Sequence, residues 1–167
     1  SKYQLLHAPK NKKNFFYEKN IHKASFIIGQ PDLPKNLLIK AKKLKAIINV
    51  ESNFINNMDY QYCFKKGIHV IATSPVFSKP VAEIALGMTL SLLRNIHTAH
   101  LDFIKGKEKY GLESNLKASL LSGKKIGLLG FGDLAKSLYP LLLPFTKDIN
   151  VYDPWIPKIK IKKLGFK

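Results

Sequence analysis

The sequence predicts an α/β fold in two parts, each built on parallel strands with helices packed against them. Three observations predict it. Short apolar runs bounded by turn residues alternate with amphipathic stretches up to Ala72, the pattern of parallel strands joined by crossover helices. A second alternating unit begins at Lys125. Between the two, a long apolar helical stretch opens at Pro80, which places a boundary near residue 78 and gives domains over 1–78 and 79–167.

Each element follows from its residues. Ser25-Phe26-Ile27-Ile28-Gly29 reads as a short buried strand, closed by Pro31 and Pro34. Residues 34–43 read as an amphipathic helix, with Leu37, Leu38, Ala41 and Leu44 on one stripe and lysines opposite. Ala46 to Val50 is the next strand, a helix over 59–66 is stopped by Gly67, and His69 to Ala72 is the third strand. From Pro80 a helix is expected to run to Lys105 and end at Gly106, largely buried, with Gly87 allowing close approach of another backbone. Residues 106–123 read as a surface loop.

Bulk composition narrows the function classes. The 167 residues are 46% hydrophobic, enough for a real core. No apolar run is expected to approach bilayer length, and the first twenty residues do not resemble a signal peptide. Cys63 is alone, which forbids an internal disulfide and suits a cytoplasmic protein; it reads as a core thiol. The formal charge of +17 invites a nucleic-acid reading. Of the 28 basic residues, however, only Arg94 is arginine, and guanine and phosphate recognition favour the arginine fork. The lysines therefore read as solvated surface, with no nucleic-acid and no membrane partner.

The segment that carries chemistry starts at the strand 125–129. It runs directly into Gly130-Phe131-Gly132-Asp133-Leu134-Ala135, which fits G-x-G-x-x-G/A. Gly130 can take the tight turn, Gly132 has no side chain to block a pyrophosphate, and Ala135 lets the helix approach the strand. Amides opening that helix favour negative charge. Asp133 reads as a helix-start residue rather than a binding one, and Pro140 should kink or tighten the helix after Tyr139. A second strand, 149–152, ends in Asp153, 21 residues beyond Gly132, where a carboxylate can accept from ribose hydroxyls. Gly130, Phe131, Gly132, Asp133, Leu134, Ala135 and Asp153 are thus the candidate cofactor site, for NAD. The bland alternative is a βαβ turn whose glycines are only structural.

In order and spacing, these segments resemble the D-2-hydroxyacid dehydrogenases from about residue 24 to 167. The resemblance is carried by Asn57-Met58-Asp59, Gly67-Ile68-His69-Val70, Thr73-Ser74-Pro75, Pro80-Val81-Ala82-Glu83, Leu93-Arg94, the run Gly123 to Gly127 with the glycine turn, and Val151 to Trp155. It implies part of a flavodoxin-like substrate domain followed by the first βαβ unit of a Rossmann NAD-binding domain. It also implies oxidation of a 2-hydroxy acid, or reduction of a 2-keto acid, with NAD(H), in a homodimer paired through the helix 80–105. Substrate carboxylate would meet the loop Val50-Glu51-Ser52-Asn53, where Glu51 and Ser52 stand in place of the family's usual glycines. The family's catalytic arginine, glutamate and histidine have no counterpart in this chain. No residue here is assigned as catalytic or as a metal ligand, and the chain as given is expected to be an inactive fragment. An NAD(H)-binding, corepressor-like protein without catalysis is the alternative.

Overall fold

A computed structural model describes residues 3–9, 13–51 and 54–166. The chain divides into two compact units, Ser1–Ser74 and Pro75–Lys167. In the first, α1 (Lys13–Asn20) precedes β1 (Phe26–Ile28), α2 (Lys35–Leu38), β2 (Ala46–Asn49), α3 (Tyr60–Lys65) and β3 (His69–Ala72). The strands form a parallel sheet in the order β1-β2-β3, with Ile27 opposite Ile47 and Ile47 opposite Val70. Alternation sends Ile27 and Ile47 into a core with Leu33, Leu38, Cys63 and Ile68. Phe26, Ile28 and Ile71, on the opposite face, are exposed.

Local chemistry explains the helix ends. Asp59 caps α3, its Oδ1 accepting the Tyr62 N–H at 2.9 Å. Gly67, at φ +69°, closes the helix by the two bonds of a Schellman turn, from the Ile68 N–H to Cys63 O and the Gly67 N–H to Phe64 O. The expected helix over 34–43 is corrected to one α-turn, Lys35–Leu38. Pro34 offers no capping side chain, and the chain continues in tighter turns, the N–H groups of Lys40, Ala41 and Leu44 each bonding three residues back. The apolar stripe is kept: Leu37, Leu38, Ala41 and Leu44 are all buried.

The second unit holds α4 (Ser74–Leu93, which begins on the last residue of the first unit), α5 (Ile96–Ile104), α6 (Gly111–Asn115), β4 (Ile126–Leu129), α7 (Asp133–Leu142), β5 (Ile149–Tyr152) and α8 (Lys158–Lys163). β4 and β5 pair in parallel, Ile126 opposite Ile149 and Leu128 opposite Val151. Ile149 and Val151 join Phe131, Leu142, Ile161 and Phe166 in the core, with Ile126 and Leu128 against it. Leu129 and Tyr152 point to the open face. Pro140 does not end α7, which runs on to Leu142.

Several expectations for residues 74–123 are corrected. The helix placed at 80–105 starts at Ser74, carries Pro80 inside, and breaks at Asn95, whose φ of +54° interrupts the helical path before α5. α4 was expected to be largely buried, yet only Ser78 and Ala82 are. Leu86, Leu90 and Leu93 pack on the core, while Val81, Ile84, Met88 and Leu92 form a second stripe that stays exposed. Nothing lies within 4 Å of where a Gly87 Cβ would sit, so no close backbone approach explains that glycine. By length and composition alone, the 20 residues of α4 could cross a membrane, contrary to the expectation that no segment approaches that size. The surface loop 106–123 contains the short helix α6.

Candidate functional site

β4 delivers its chain into the glycine turn beside the end of β5. Gly130 adopts φ +90°, which a side chain would strain, and its N–H donates to Tyr152 O at 2.7 Å. The turn is therefore pinned to the neighbouring strand as soon as β4 ends. The next amide, of Phe131, donates to Asp153 Oδ2 at 2.7 Å. Asp153 Oδ1 accepts the N–H groups of Trp155 at 2.8 Å and Ile156 at 3.1 Å. These bonds, that from Phe131 foremost, hold the Asp153 carboxyl below the usual carboxylate range against an opposing effect of burial.

Gly132 has an ordinary backbone, φ −75°, so conformation does not demand glycine there. No atom lies within 4 Å of the position a Cβ would take. Gly132 is the N-cap of α7 and its carbonyl accepts the first helical bond, from Lys136 N–H at 3.0 Å. The amides of Leu134 and Ala135 precede that bond and have no acceptor within the helix. An open approach, amides at the end of a ten-residue helix and a carboxylate at the end of the next strand suit a dinucleotide's pyrophosphate and adenosine ribose. Phe131 contributes differently. Its ring is buried, edge-on to Phe166 at 4.8 Å between centroids, and its amide is given to Asp153, so it holds the turn. Ala135 packs against the core and Leu134 is exposed.

Of the other candidate residues, Val50 and Glu51 lie in the first unit, just beyond the carboxyl end of β2, the end of a parallel sheet at which α/β folds bind ligands. Val50 and Glu51 are exposed, and the Glu51 N–H donates to Gln30 Oε1 at 3.1 Å. Ser52 and Asn53 lie outside the described residues. Thr73 Oγ1 sits 3.1 Å from both Asn49 O and Val50 O, tying β3 to the start of the loop. At the loop's far end, Tyr60 Oη lies 2.6 Å from Ile55 O and 2.8 Å from Asn57 Oδ1, and Asn57 Nδ2 donates to Pro31 O at 2.8 Å. Sequence reasoning missed Asn49, a fully buried side chain on the end of β2 with neither amide atom hydrogen-bonded. Burial raises the Tyr60 phenol, and the neighbouring Asn49 amide opposes that shift without reaching hydrogen-bond geometry.

Elsewhere the structure gathers little chemistry. Among the described residues no three His, Cys, Asp or Glu side chains come together as metal ligands. His69, His97 and His100 are exposed, and Cys63 is a buried thiol pushed up by burial. An open depression of about 470 Å³ is lined by Asp32, Pro34, Asn56, Asn57, Met58 and Asp59. Two carboxylates in its lining disfavour an anionic acid there.

Residues 86–167 match the family described as D-isomer specific 2-hydroxyacid dehydrogenase, NAD binding domain. The chain is 34% identical to a hydroxypyruvate reductase of Thermotoga maritima over 121 residues, covering 72% of this chain and 39% of the relative. It is 30% identical to a D-3-phosphoglycerate dehydrogenase of Methanocaldococcus jannaschii over 131 residues, 78% of this chain and 24% of the relative. Among solved structures, a phosphoglycerate oxidoreductase from Rhizobium etli superposes with a TM-score of 0.71 at 44% identity, covering 90% of this chain and 47% of its own. D-Lactate dehydrogenase from Aquifex aeolicus, complexed with NAD and lactic acid, gives 0.65 at 26% identity, covering 87% and 44%. The chain thus spans less than half the length of each of these relatives.

The Phe131–Asp153 bond carries a pH signature. A carboxyl whose pKa is lowered on folding contributes above its unfolded value, and the contribution is lost as pH falls through the folded value. The backbone amide resonance of Phe131 should therefore move with a midpoint below the usual carboxylate range, and the movement should vanish in Asp153→Asn. A Phe131 amide unaffected by acid down to global unfolding would contradict the bond.

Proposed function

Since this chain belongs to the D-isomer specific 2-hydroxyacid dehydrogenase family, we propose that it is the substrate-loop and NAD-binding part of an oxidoreductase acting on a 2-hydroxy acid, or reducing the 2-keto acid. The observation that carries this reading is the glycine turn held against Asp153, with Gly132 unobstructed at the end of α7. The first domain, residues 1–78, supplies the substrate loop at Val50, Glu51, Ser52 and Asn53. The second domain, residues 79–167, supplies NAD contacts at Gly130, Phe131, Gly132, Asp133, Leu134, Ala135 and Asp153. Bound NAD(H) supplies the hydride acceptor or donor. The chain's own residues would do the holding: the Leu134 and Ala135 amides would receive the pyrophosphate, and Gly132 would leave room for it. Relatives named for hydroxypyruvate, phosphoglycerate and lactate support a small 2-hydroxy or 2-keto acid as the substrate class.

Asp153 sets the coenzyme preference. A carboxylate has about four acceptor positions, and three are taken by backbone N–H groups. The remaining one, on Oδ2, accepts a ribose hydroxyl, whereas a 2′-phosphate there meets like charge. Lys158, Lys160, Lys162 and Lys163 on α8 are exposed, and flexible lysines at a solvated rim offset little of that repulsion. In the whole protein, kcat/KM should favour NADH over NADPH by about tenfold or more. Asp153→Ser should shrink that ratio and also lower kcat/KM with NADH, because the turn loses an acceptor. Equal use of both coenzymes by the unmutated protein would sink the assignment. Tight NADH binding without turnover of any 2-keto acid would favour a binding protein over the enzyme.

The exposed stripe of α4 completes the reading with a second copy of the chain, in the cytoplasm, with no nucleic acid or membrane as partner. Val81, Ile84, Met88 and Leu92 recur at helical spacing on one side of α4. The opposite stripe, Leu86, Leu90 and Leu93, is already packed on the unit's own core, as in a water-soluble helix. A two-fold dimer can cover the first stripe with itself. The test therefore falls on the outer residues: Ile84→Lys with Met88→Lys should convert a homodimer to monomer in light scattering while leaving the melting temperature of the second unit within a few degrees. A monomer before substitution, or a dimer that survives it, would contradict the interface.

A further inference from the structure

Trp155 is the only tryptophan in the sequence and, at 90% exposed, the most exposed large apolar side chain among the described residues. A ring of this size ordinarily goes inside, or at least lays one face on the protein. Leu129 and Tyr152 are also exposed, but strand alternation accounts for them, because both face outward from the β4-β5 pair. Trp155 lies past the end of β5, where no alternation puts it. Its backbone, in contrast, is fixed. The Trp155 N–H donates to Asp153 Oδ1 at 2.8 Å, the Ile156 N–H donates to the same oxygen at 3.1 Å, and Ile156 packs on the core. Pro154 and Pro157 stiffen the chain on either side. A rigid support thus presents an uncovered indole beside the carboxylate that the coenzyme reading gives to the adenosine ribose.

We propose that Trp155 is the adenine platform of the coenzyme site: the base stacks on the indole while Asp153 accepts a hydroxyl of the ribose that carries it. In adenosine the base leaves the sugar at the carbon next to the one bearing the 2′-hydroxyl. A base whose ribose is held at Asp153 therefore lies within a side chain's reach of that carboxylate, and the Trp155 backbone is already folded back onto it. Stacking needs only the flat face of the base, and a backbone fixed in advance loses little freedom when the base arrives. The adenine is the end of the coenzyme remote from the hydride, so Trp155 acts on affinity and not on the chemical step. The proposal rests on the reading of Gly130 to Asp153 as an NAD(H) site.

The test uses the 167-residue chain, in which all tryptophan emission comes from residue 155. NAD+ and AMP should each quench that emission saturably, whereas nicotinamide mononucleotide at the same concentration should not. Trp155→Ala should weaken NADH binding about tenfold, and Trp155→Phe by no more than about threefold. The melting temperature should stay within a few degrees in both, because the exposed ring supports nothing and the N–H on Asp153 belongs to the backbone. The amide resonances of Gly132, Leu134 and Ala135 should still move in Trp155→Ala at higher NADH. An emission that AMP leaves unchanged while those amides move in the unmutated chain would overturn the platform, as would an alanine variant that binds NADH as tightly. An emission that shifts with protein concentration and ignores AMP would place a second copy over the ring and overturn it too. If neither the indole nor the amides of the glycine turn respond to NADH, the coenzyme reading itself fails and the platform falls with it.

Discussion

The bond from the Phe131 N–H to the Asp153 carboxylate joins the turn after β4 to the end of β5, two points 22 residues apart in sequence. Three other features depend on it. The Phe131 amide is spent on Asp153, so its side chain is free to turn inward against Phe166 and Tyr139. With that ring inside, Gly132 is left at the surface with nothing before it, and α7 begins with its amides toward open space. Asp153 in turn is fixed by Trp155 and Ile156, which sets the direction of the chain toward α8. One carboxylate thus organises the glycine turn, the start of α7 and the chain that follows β5.

Such preorganisation matters because binding otherwise has to order the loop at the expense of affinity. Gly130 can hold φ +90° at little cost only because it lacks a Cβ, and its bond to Tyr152 O keeps it there. In the first unit, Thr73 ties β3 to the residues that follow β2.

The sequence made the strands and the glycine turn legible because their causes are local. Apolar runs such as Ala46 to Ile48 have one compact way to bury themselves, and Gly130 answers a local demand of conformation. What was not legible depends on distant partners. Pro80 read as a helix start, but α4 begins at Ser74 and accommodates the proline in its interior. Asn95 carried no visible signal of a break, since its left-handed backbone is set by the change of direction between α4 and α5. Leu90 and Leu93 could not be told from Ile84 and Met88 by periodicity alone, because both stripes are apolar and only packing distinguishes them. Asn49 read as an ordinary strand end, and its missing partner is visible only in three dimensions.

The claim on which the account turns is that the glycine turn and Asp153 together receive NAD(H). It is tested most directly by titrating the 167-residue chain with NADH and following backbone amide resonances. The account predicts that the amides of Gly132, Leu134, Ala135 and Asp153 move together, saturably, and that those of residues 3–9 do not. Saturable shifts confined to other parts of the chain, or none at millimolar NADH, would contradict it.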